Sequence, residues 1–227
     1  MSYQLQFGSV LANLDELLDG AATTLWMGAA TILLGSLLGI VLAILRTSGP
    51  DLCRRLIDGY VEVVRNTPFL VQLFFIFFGL PSIGIRLLPI EAALLALVVN
   101  LGGYATEIVR AGIESIHPGQ IEAGLSLGLN RWRIYRHVVI VPALERVYPA
   151  LSSQSVLALL GTSVVSQISV VELTAVGNTI QSATYRAFEV YLVITVLYLG
   201  LAFASRGAFW LIGLAAFQRR RRLGARA

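Results

Sequence analysis

The sequence contains no lysine and only one cysteine among its 227 residues. Its seventeen basic residues are therefore all arginines, and a G-x-x-x-x-G-K-[ST] phosphate-binding loop is excluded. The single thiol, Cys53, excludes an intrachain disulfide framework. Charged residues of either sign make up only 13% of the chain, about half of what soluble globular domains carry. An ordinary water-soluble domain is thus excluded as well.

Hydrophobic residues make up 56% of the chain and the mean hydropathy is +0.77, so the sequence predicts a membrane protein. A helix needs about 20 apolar residues to cross the roughly 30 Å of a bilayer's hydrocarbon core. Two segments of that length carry no charge, and three others carry charges only near their ends. The five predicted spans, in chain order, are residues 20–45, 60–80, 87–109, 147–171 and 188–205. The predicted fold is all-α, with about five transmembrane helices.

The arginines are distributed unevenly over the loops between these spans. Arg86 and Arg186 fall on one side, and the other fifteen fall on the opposite side, which the positive-inside rule assigns to the cytoplasm. The sequence therefore predicts an outside N-terminus and a cytoplasmic C-terminus, with the four arginines 219–222 anchoring the tail on an anionic leaflet. Because no linker or repeat divides the chain, residues 1–227 are predicted to form a single transmembrane domain.

The loop of about residues 111–146, between the third and fourth spans, is unusually polar and predicts two short helices. The first covers residues 120–127 and ends where Gly128 can adopt a left-handed conformation. Asn130 suits the N-cap of the second helix, on which three apolar side chains share one face: Trp132, Tyr135 and Val139. Such a loop could dock on a soluble partner or rest on lipid headgroups. A DNA-binding role is disfavoured because membrane spans tether the helix pair at both ends.

The loop carries Glu122-Ala123-Gly124, then Gly128 and later Pro142. This pattern closely resembles the cytoplasmic "EAA" loop by which permease subunits of ATP-binding-cassette (ABC) importers dock on their ATPase. The resemblance implies a role in ATPase coupling for five residues: Glu122, Ala123, Gly124, Gly128 and Arg131.

The resemblance extends over most of the chain and narrows to the permeases of polar amino acids, the histidine/glutamine/arginine/glutamate permease family. Its strongest motif is Arg65-Asn66-Thr67-Pro68 followed by the phenylalanine-rich stretch VQLFFIFFGLP at 71–81. Further matches, in order along the chain, are Tyr104, Glu107 to Ile113, Gly119-Gln120, Thr162-Ser163-Val164, Glu172-Leu173 and YLVITVLYLGL at 191–201.

The resemblance implies a permease subunit that translocates a polar amino acid or a related, opine-like compound across a bacterial inner membrane. The implied partners are two cytoplasmic ABC ATPases, a second permease that is identical or related, and an external amino-acid-binding protein. The subunit itself would be neither an enzyme nor a cofactor protein, and apart from these proteins it would contact lipid and no nucleic acid.

Three departures from the family pattern stand out. Gly124 replaces the usual alanine, which would weaken the first loop helix by about 1 kcal/mol. The loop proline is Pro142, one residue later than the family spacing places it, so the direction of re-entry into the membrane is less defined. Leu160 and Gly161 stand where many relatives carry a polar or charged pair.

Charged and polar residues within the spans are candidate functional groups. Glu107 with Arg110, and Glu62 with Arg65, are spaced for i, i+3 ion pairs, which would give them a structural role. Residues that could line a translocation path, or instead link helices by hydrogen bonds, are Thr67, Gln72, Asn100, Thr162, Ser163 and Ser166.

Two other classes of function remain as alternatives. A secondary transporter driven by an ion gradient would place carboxylates or broken helices at the midplane, whereas the acidic residues here lie toward the span ends. An intramembrane hydrolase would need a base near its nucleophile, yet His117 and His137 both lie in the cytoplasmic loop.

Overall fold

The computed structural model describes residues 5–217, in which every regular element is helical and no β-strand occurs. The arginines 219–222 lie outside the described residues. The α-helices, in chain order, are α1 Gly8–Leu11, α2 Leu14–Ser48, α3 Asp51–Asn66, α4 Phe69–Phe74, α5 Pro89–Glu114, α6 Pro118–Ser126, α7 Arg131–Arg133, α8 Val141–Gly161, α9 Leu173–Thr184 and α10 Ala187–Ala216.

Four helical stretches of the described chain are long and apolar enough to cross a membrane: α2, α5, residues 131–168 and α10. A fifth span is formed if the two parts of a broken helix, Asp51–Asn66 and Phe69–Ile83, count as one, although they meet at a bend of 113°. The predicted all-helical membrane fold is thereby confirmed. The predicted second span is this broken element, and Pro68, which has no N–H to continue a helix, lies at the break.

The long helix α2 packs along α5, and glycines set how closely the two approach. A Cβ atom on Gly39 would overlap Ala105, and one on Gly35 would lie 2.9 Å from the Leu101 Cβ. Further along α2, Gly28 faces Leu159 of α8 in the same way. Small residues allow this contact in a bilayer, where no hydrophobic effect drives helices together.

The second loop helix is not the separate element that the sequence predicted. After α7, residues 134–140 form a π-helix that runs without interruption into α8, so one helical rod extends from the loop into the membrane. Of the three predicted face residues, Val139 is buried and Tyr135 packs against the same apolar cluster, whereas Trp132 is 68% exposed. The predicted apolar face therefore holds for Tyr135 and Val139 and not for Trp132.

Two carboxylates, which were not predicted to be buried, are fully buried at the end of the molecule opposite the loop. Glu172 is the N-cap of α9, where its Oε1 accepts a hydrogen bond from the Ala175 N–H at 2.9 Å and its Oε2 accepts one from the Tyr198 hydroxyl at 2.6 Å. Glu189, in the first turn of α10, accepts a hydrogen bond from the Gln6 N–H at 3.0 Å. These contacts tie α9, α10 and the N-terminal segment together.

Candidate functional site

The loop between α5 and α8 is a compact helical hairpin whose turn is fixed by backbone hydrogen bonds. The Gly128 N–H donates to the Leu125 carbonyl at 2.9 Å, and the Leu129 N–H donates to the Gly124 carbonyl at 3.1 Å. This pair of bonds is the Schellman motif, which requires a left-handed residue, and Gly128 has φ of +74°. The sequence-based prediction for Gly128 is confirmed, and helix α6 begins two residues earlier than predicted.

Each of the two hairpin helices, α6 and α7, begins at a residue whose side chain caps its N-terminus. His117 Nδ1 accepts a hydrogen bond from the Gly119 N–H at 3.1 Å at the start of α6. Asn130 Oδ1 accepts one from the Arg133 N–H at 2.8 Å at the start of α7, as predicted. Side-chain caps of this kind satisfy N–H groups that the helix leaves unpaired.

Gly124 is buried at the contact between the two arms of the hairpin. A Cβ atom there would lie 3.1 Å from the Ile134 Cγ1 and 3.3 Å from its Cδ1. The glycine that replaces the family's alanine therefore allows Ile134 to pack directly on the α6 backbone, which offsets its low helix propensity.

The outer surface of the hairpin combines exposed apolar and charged side chains. Glu122 and Ala123 are exposed on α6, and Arg131 is exposed at the start of α7. Around them lie four exposed large apolar side chains: Ile121, Leu125, Leu127 and Trp132, of which Leu127 is 79% exposed. An exposed apolar patch of this kind marks a surface that contacts a protein or a membrane.

At the break between α3 and α4, the Gln72 side chain supplies the hydrogen-bond donor that Pro68 lacks. Pro68 has no N–H to give to the carbonyl of Val64, four residues before it. The Gln72 Nε2 donates to that carbonyl at 2.8 Å and to the Thr67 Oγ1 at 2.8 Å. Asn100 of α5 fixes the amide by donating to the Gln72 Oε1 at 2.9 Å.

The six predicted path residues form two groups. Thr67, Gln72 and Asn100 make the network just described. The hydroxyls of Thr162, Ser163 and Ser166 instead donate to carbonyls of their own helical stretch, at 2.7 to 2.8 Å. Their contact with a transported solute stays a prediction.

An ion cluster lies near the loop end of the bundle, with Glu107 at its centre. Arg110 donates to both Glu107 carboxylate oxygens, at 2.6 and 3.0 Å, as the i, i+3 spacing predicts. Arg46 at the end of α2 donates to Glu107 at 2.7 Å and also pairs with Asp58 of α3. Three helices are therefore joined through one carboxylate.

The predicted Glu62–Arg65 pair does not form. Arg65 Nη1 lies 3.7 Å from the Glu107 Oε1, across the gap between α3 and α5. Glu62 is exposed, and its carboxylate has no ion-pair partner among residues 5–217. Sequence spacing failed here because α3 packs against α5, which offers Arg65 a second acid.

The ion cluster forms one wall of a polar cleft of about 510 Å³. The lining side chains come from α2, α3 and α5: Arg46, Asp58, Val61, Glu62, Arg65, Asn66, Tyr104 and Glu107. Arg46 and Asp58 were not predicted from the sequence as members of this site. The sequence feature that could have indicated them is an arginine, Arg46, at the end of an apolar span and close to several acidic residues. No group of three or more metal-binding side chains occurs within the described part of the chain.

The chain is similar to a known family of transport proteins over nearly its whole length. A sequence model of the family described as "Binding-protein-dependent transport system inner membrane component" matches residues 10–222. The glutamine transport system permease protein GlnP of Escherichia coli (strain K12) is 35% identical over 198 residues, which cover 86% of this chain and 90% of that protein. The nopaline transport system permease protein NocM of Agrobacterium fabrum is 33% identical over 204 residues, covering 86% and 85%.

Solved structures agree with these sequence relatives. An amino acid ABC transporter crystallised with histidines has a chain that matches with a TM-score of 0.85 at 32% identity, covering 94% of this chain and all of that one. A chain of the MetNI methionine ABC transporter in an inward-facing conformation matches with a TM-score of 0.77 at 20% identity, and this match concerns the fold alone. The family resemblance found in the sequence motifs is confirmed.

Proposed function

The chain belongs to the family of binding-protein-dependent transport system inner membrane components, and from this premise we propose that it is the permease subunit of an ABC importer. The proposed solute is a polar amino acid or a related, opine-like compound. The names of the relatives support this solute class, since they include glutamine and nopaline permeases. Residues 1–227 would form one transmembrane domain that provides part of the translocation path.

The observation that carries the coupling role is the shape of the loop hairpin. It is compact, its turn is fixed by a glycine with positive φ, and it exposes Leu127 and Trp132 beside Glu122. We propose that this surface docks on a separate cytoplasmic ATPase, because the chain itself has no lysine and hence no P-loop. A complete complex would contain two permeases, two ATPases and an external binding protein.

The hairpin is well connected to the spans that would have to move. The helical stretch from Arg131 to Ile168 joins the loop to the bundle without an interruption. The Ser48 hydroxyl at the end of α2 donates to the Tyr135 hydroxyl at 2.8 Å, and Val139 packs in an apolar cluster with Ala43 and Val109. Closure of the ATPases would thus shift α2, α5 and α8 together between inward and outward states, as a two-state coupling mechanism requires.

The proposed topology places the loop, the ion cluster and the C-terminus in the cytoplasm and the N-terminus outside, in the inner membrane of a bacterium. It rests on the division of the arginines, fifteen on one side and two on the other. The buried contacts of Glu172 and Glu189 would then lie toward the outer face.

Uptake by proteoliposomes tests the function. The permease, co-purified with its ATPase, is reconstituted and supplied with the binding protein and labelled L-glutamine or nopaline. We expect uptake that requires ATP and binding protein and that persists when ionophores collapse proton and sodium gradients. Uptake that follows an ion gradient and ignores ATP would instead establish a secondary transporter.

Docking is tested on the hairpin itself. We expect Leu127→Asp to release the ATPase during purification, because a charge replaces an exposed apolar contact, while the protein still inserts in the membrane. Arg133→Gln is a matched control in the same loop. Full retention of the ATPase by Leu127→Asp would mean that the hairpin rests on lipid and not on a protein.

A further inference from the structure

The polar cleft between α2, α3 and α5 contains an acid and a hydroxyl without a partner in the described part of the chain, and an arginine with one long ion-pair contact. Within residues 5–217 the Glu62 carboxylate has no hydrogen-bond or ion-pair partner, and neither has the Tyr104 hydroxyl. Arg65, whose side chain is 44% exposed, makes one ion-pair contact, at 3.7 Å. Three groups of the cleft wall are thus available to a ligand.

The remaining charged groups of the cleft wall are paired with other charged side chains. Glu107 accepts hydrogen bonds from Arg46 and Arg110, and Arg46 also pairs with Asp58. Of these four side chains, Arg46, Asp58 and Glu107 line the cleft together with Glu62 and Arg65.

Glu62 and Arg65 are three residues apart on one helix, which places their Cβ atoms about 5 to 6 Å apart. This separation suits a ligand whose own positive and negative groups are one or two bonds from a common carbon. A volume of about 510 Å³ lies within the usual range for small-molecule sites, about 300 to 1,000 Å³. Within the described residues the two side chains do not pair with each other, and both line the cleft.

We propose that this cleft binds the zwitterionic α-amino-acid group of the transported solute, with the ammonium on Glu62 and the carboxylate on Arg65. Tyr104 supplies a hydroxyl to the carboxylate or to the side chain of the solute. The proposal rests on the proposed function and deepens it, because it assigns the recognised chemical group and the residues that recognise it.

The location of the cleft gives the site a place in the transport cycle. It lies at the loop end of the bundle, beside the break at Thr67 and Pro68, where the Gln72 and Asn100 network begins. In the proposed topology this is the cytoplasmic side. The cleft is therefore a release site, which holds the solute weakly after it passes the break and which solute accumulated in the cytoplasm can reoccupy.

The direct test measures binding to the purified permease and ATPase complex without nucleotide and without binding protein. Labelled L-glutamine is the probe, because every L-amino acid carries the recognised group. We expect N-acetyl-L-glutamine, which lacks the ammonium, and L-glutamine amide, which lacks the carboxylate, to bind at least tenfold more weakly.

Two variants assign the contacts. Glu62→Gln should weaken L-glutamine binding at least tenfold and leave the weak binding of N-acetyl-L-glutamine unchanged. Arg65→Gln should weaken L-glutamine binding at least tenfold and leave the weak binding of L-glutamine amide unchanged. Arg65→Lys should bind L-glutamine more tightly than Arg65→Gln does. Arg55→Gln removes a charge from an exposed position of the same helix outside the cleft, and it should bind as wild type does.

Co-purification of the ATPase with each variant shows that it is folded. A wild-type complex that binds no L-glutamine, or variants that bind both the zwitterion and its blocked analogues as wild type does, would overturn the proposal. So would L-glutamine binding that appears only after phosphatidylethanolamine is removed, because its headgroup also carries an ammonium and an acid. ATP-driven uptake is measured separately, and its absence in wild type would contradict the proposed function and not the cleft.

Discussion

At the scale of single residues, Gly128 tests the coupling loop because its constraint is one of backbone conformation. Its φ is +74°, and no atom lies within 4 Å of a Cβ built on it. A substituted side chain would therefore be strained by about 1 to 2 kcal/mol but would meet no neighbour within the subunit. We expect Gly128→Leu to insert normally and to lose ATP-driven uptake in proteoliposomes.

Gly128→Asn is the control for this prediction. Asparagine adopts left-handed φ more readily than leucine and is shorter, so the variant should retain most of the uptake. If Gly128→Leu transports at the wild-type rate, then the turn does not enter a tight contact with the ATPase.

Glu122→Ala is expected to reduce ATP-driven uptake less than Gly128→Leu does. Glu122 lies beyond the first turn of α6, where the helix dipole is weak.

Gln72 stabilises the break at Pro68 by replacing the donor that proline lacks. We expect Gln72→Leu to lower the free energy of unfolding by about 1 to 3 kcal/mol, because the Val64 carbonyl loses its partner in a half-buried site. The measurement is the thermal unfolding midpoint in detergent, together with the uptake rate.

The Asn100→Leu variant distinguishes a structural role of the Gln72 and Asn100 amides from direct contact with the solute. It leaves the Gln72 amide able to donate to Val64 but no longer fixed by α5, so its effect on stability should be smaller than that of Gln72→Leu. Equal stability of Gln72→Leu and wild type, with loss of uptake alone, would instead assign these amides to the translocation path.

At the scale of elements, the π-helix between α7 and α8 is linked to Pro142. The Val141 N–H donates to the Arg136 carbonyl, five residues back, directly before a proline that has no N–H to continue an α-helical ladder. Pro142→Ala supplies that N–H, so a regular α-helix can compete with the widened turns.

We expect Pro142→Ala to unfold at the same temperature as wild type or higher, while the uptake per ATP hydrolysed falls. The loss follows because each residue absorbed into a regular helix rotates the hairpin by about 100° relative to α8. Val141→Ala, at the neighbouring exposed position, should leave coupling unchanged. Wild-type coupling in Pro142→Ala would show that the π-helix is not needed to orient the loop.

The close packing of α2 on α5 depends on glycines in α2, which have no Cβ atom. Gly39→Ala would place a methyl group against Ala105, and overpacking of this kind costs about 1 to 3 kcal/mol. Gly59→Ala, on α3, meets no atom within 4 Å and should stabilise its helix by up to about 1 kcal/mol. Opposite shifts of the two unfolding midpoints are therefore expected, and a stabilised Gly39→Ala protein would contradict the packing.

At the scale of the whole molecule, features that depend on neighbouring residues were predicted from the sequence better than contacts between distant helices. Runs of apolar residues defined the spans, and turn chemistry identified Gly128 and Asn130 correctly, because these features depend on neighbours in sequence. The continuity of α7 with α8 was missed because π-helical turns have no reliable signature in a single sequence.

The ion cluster shows why the site was only partly predictable. The Glu107 and Arg110 pair follows from spacing within one helix, whereas the contacts of Arg46 and Arg65 with Glu107 depend on how α2 and α3 pack against α5. In this packing Glu62 and Arg65 do not pair with each other, and both line the cleft from α3. No periodicity encodes such choices between alternative partners.

The arrangement of the whole chain in the membrane is tested with single cysteines in a Cys53→Ser background. Ser82 is exposed in the turn between α4 and α5, and Asn130 is exposed in the hairpin. Because the positions of the arginines in the sequence predict that fifteen of the seventeen are on the hairpin side, we expect Ser82→Cys in intact cells to react with a membrane-impermeant maleimide. Asn130→Cys should react only after the membrane is permeabilised. The opposite pattern of labelling would invert the topology and, with it, place the coupling hairpin and the polar cleft outside the cell.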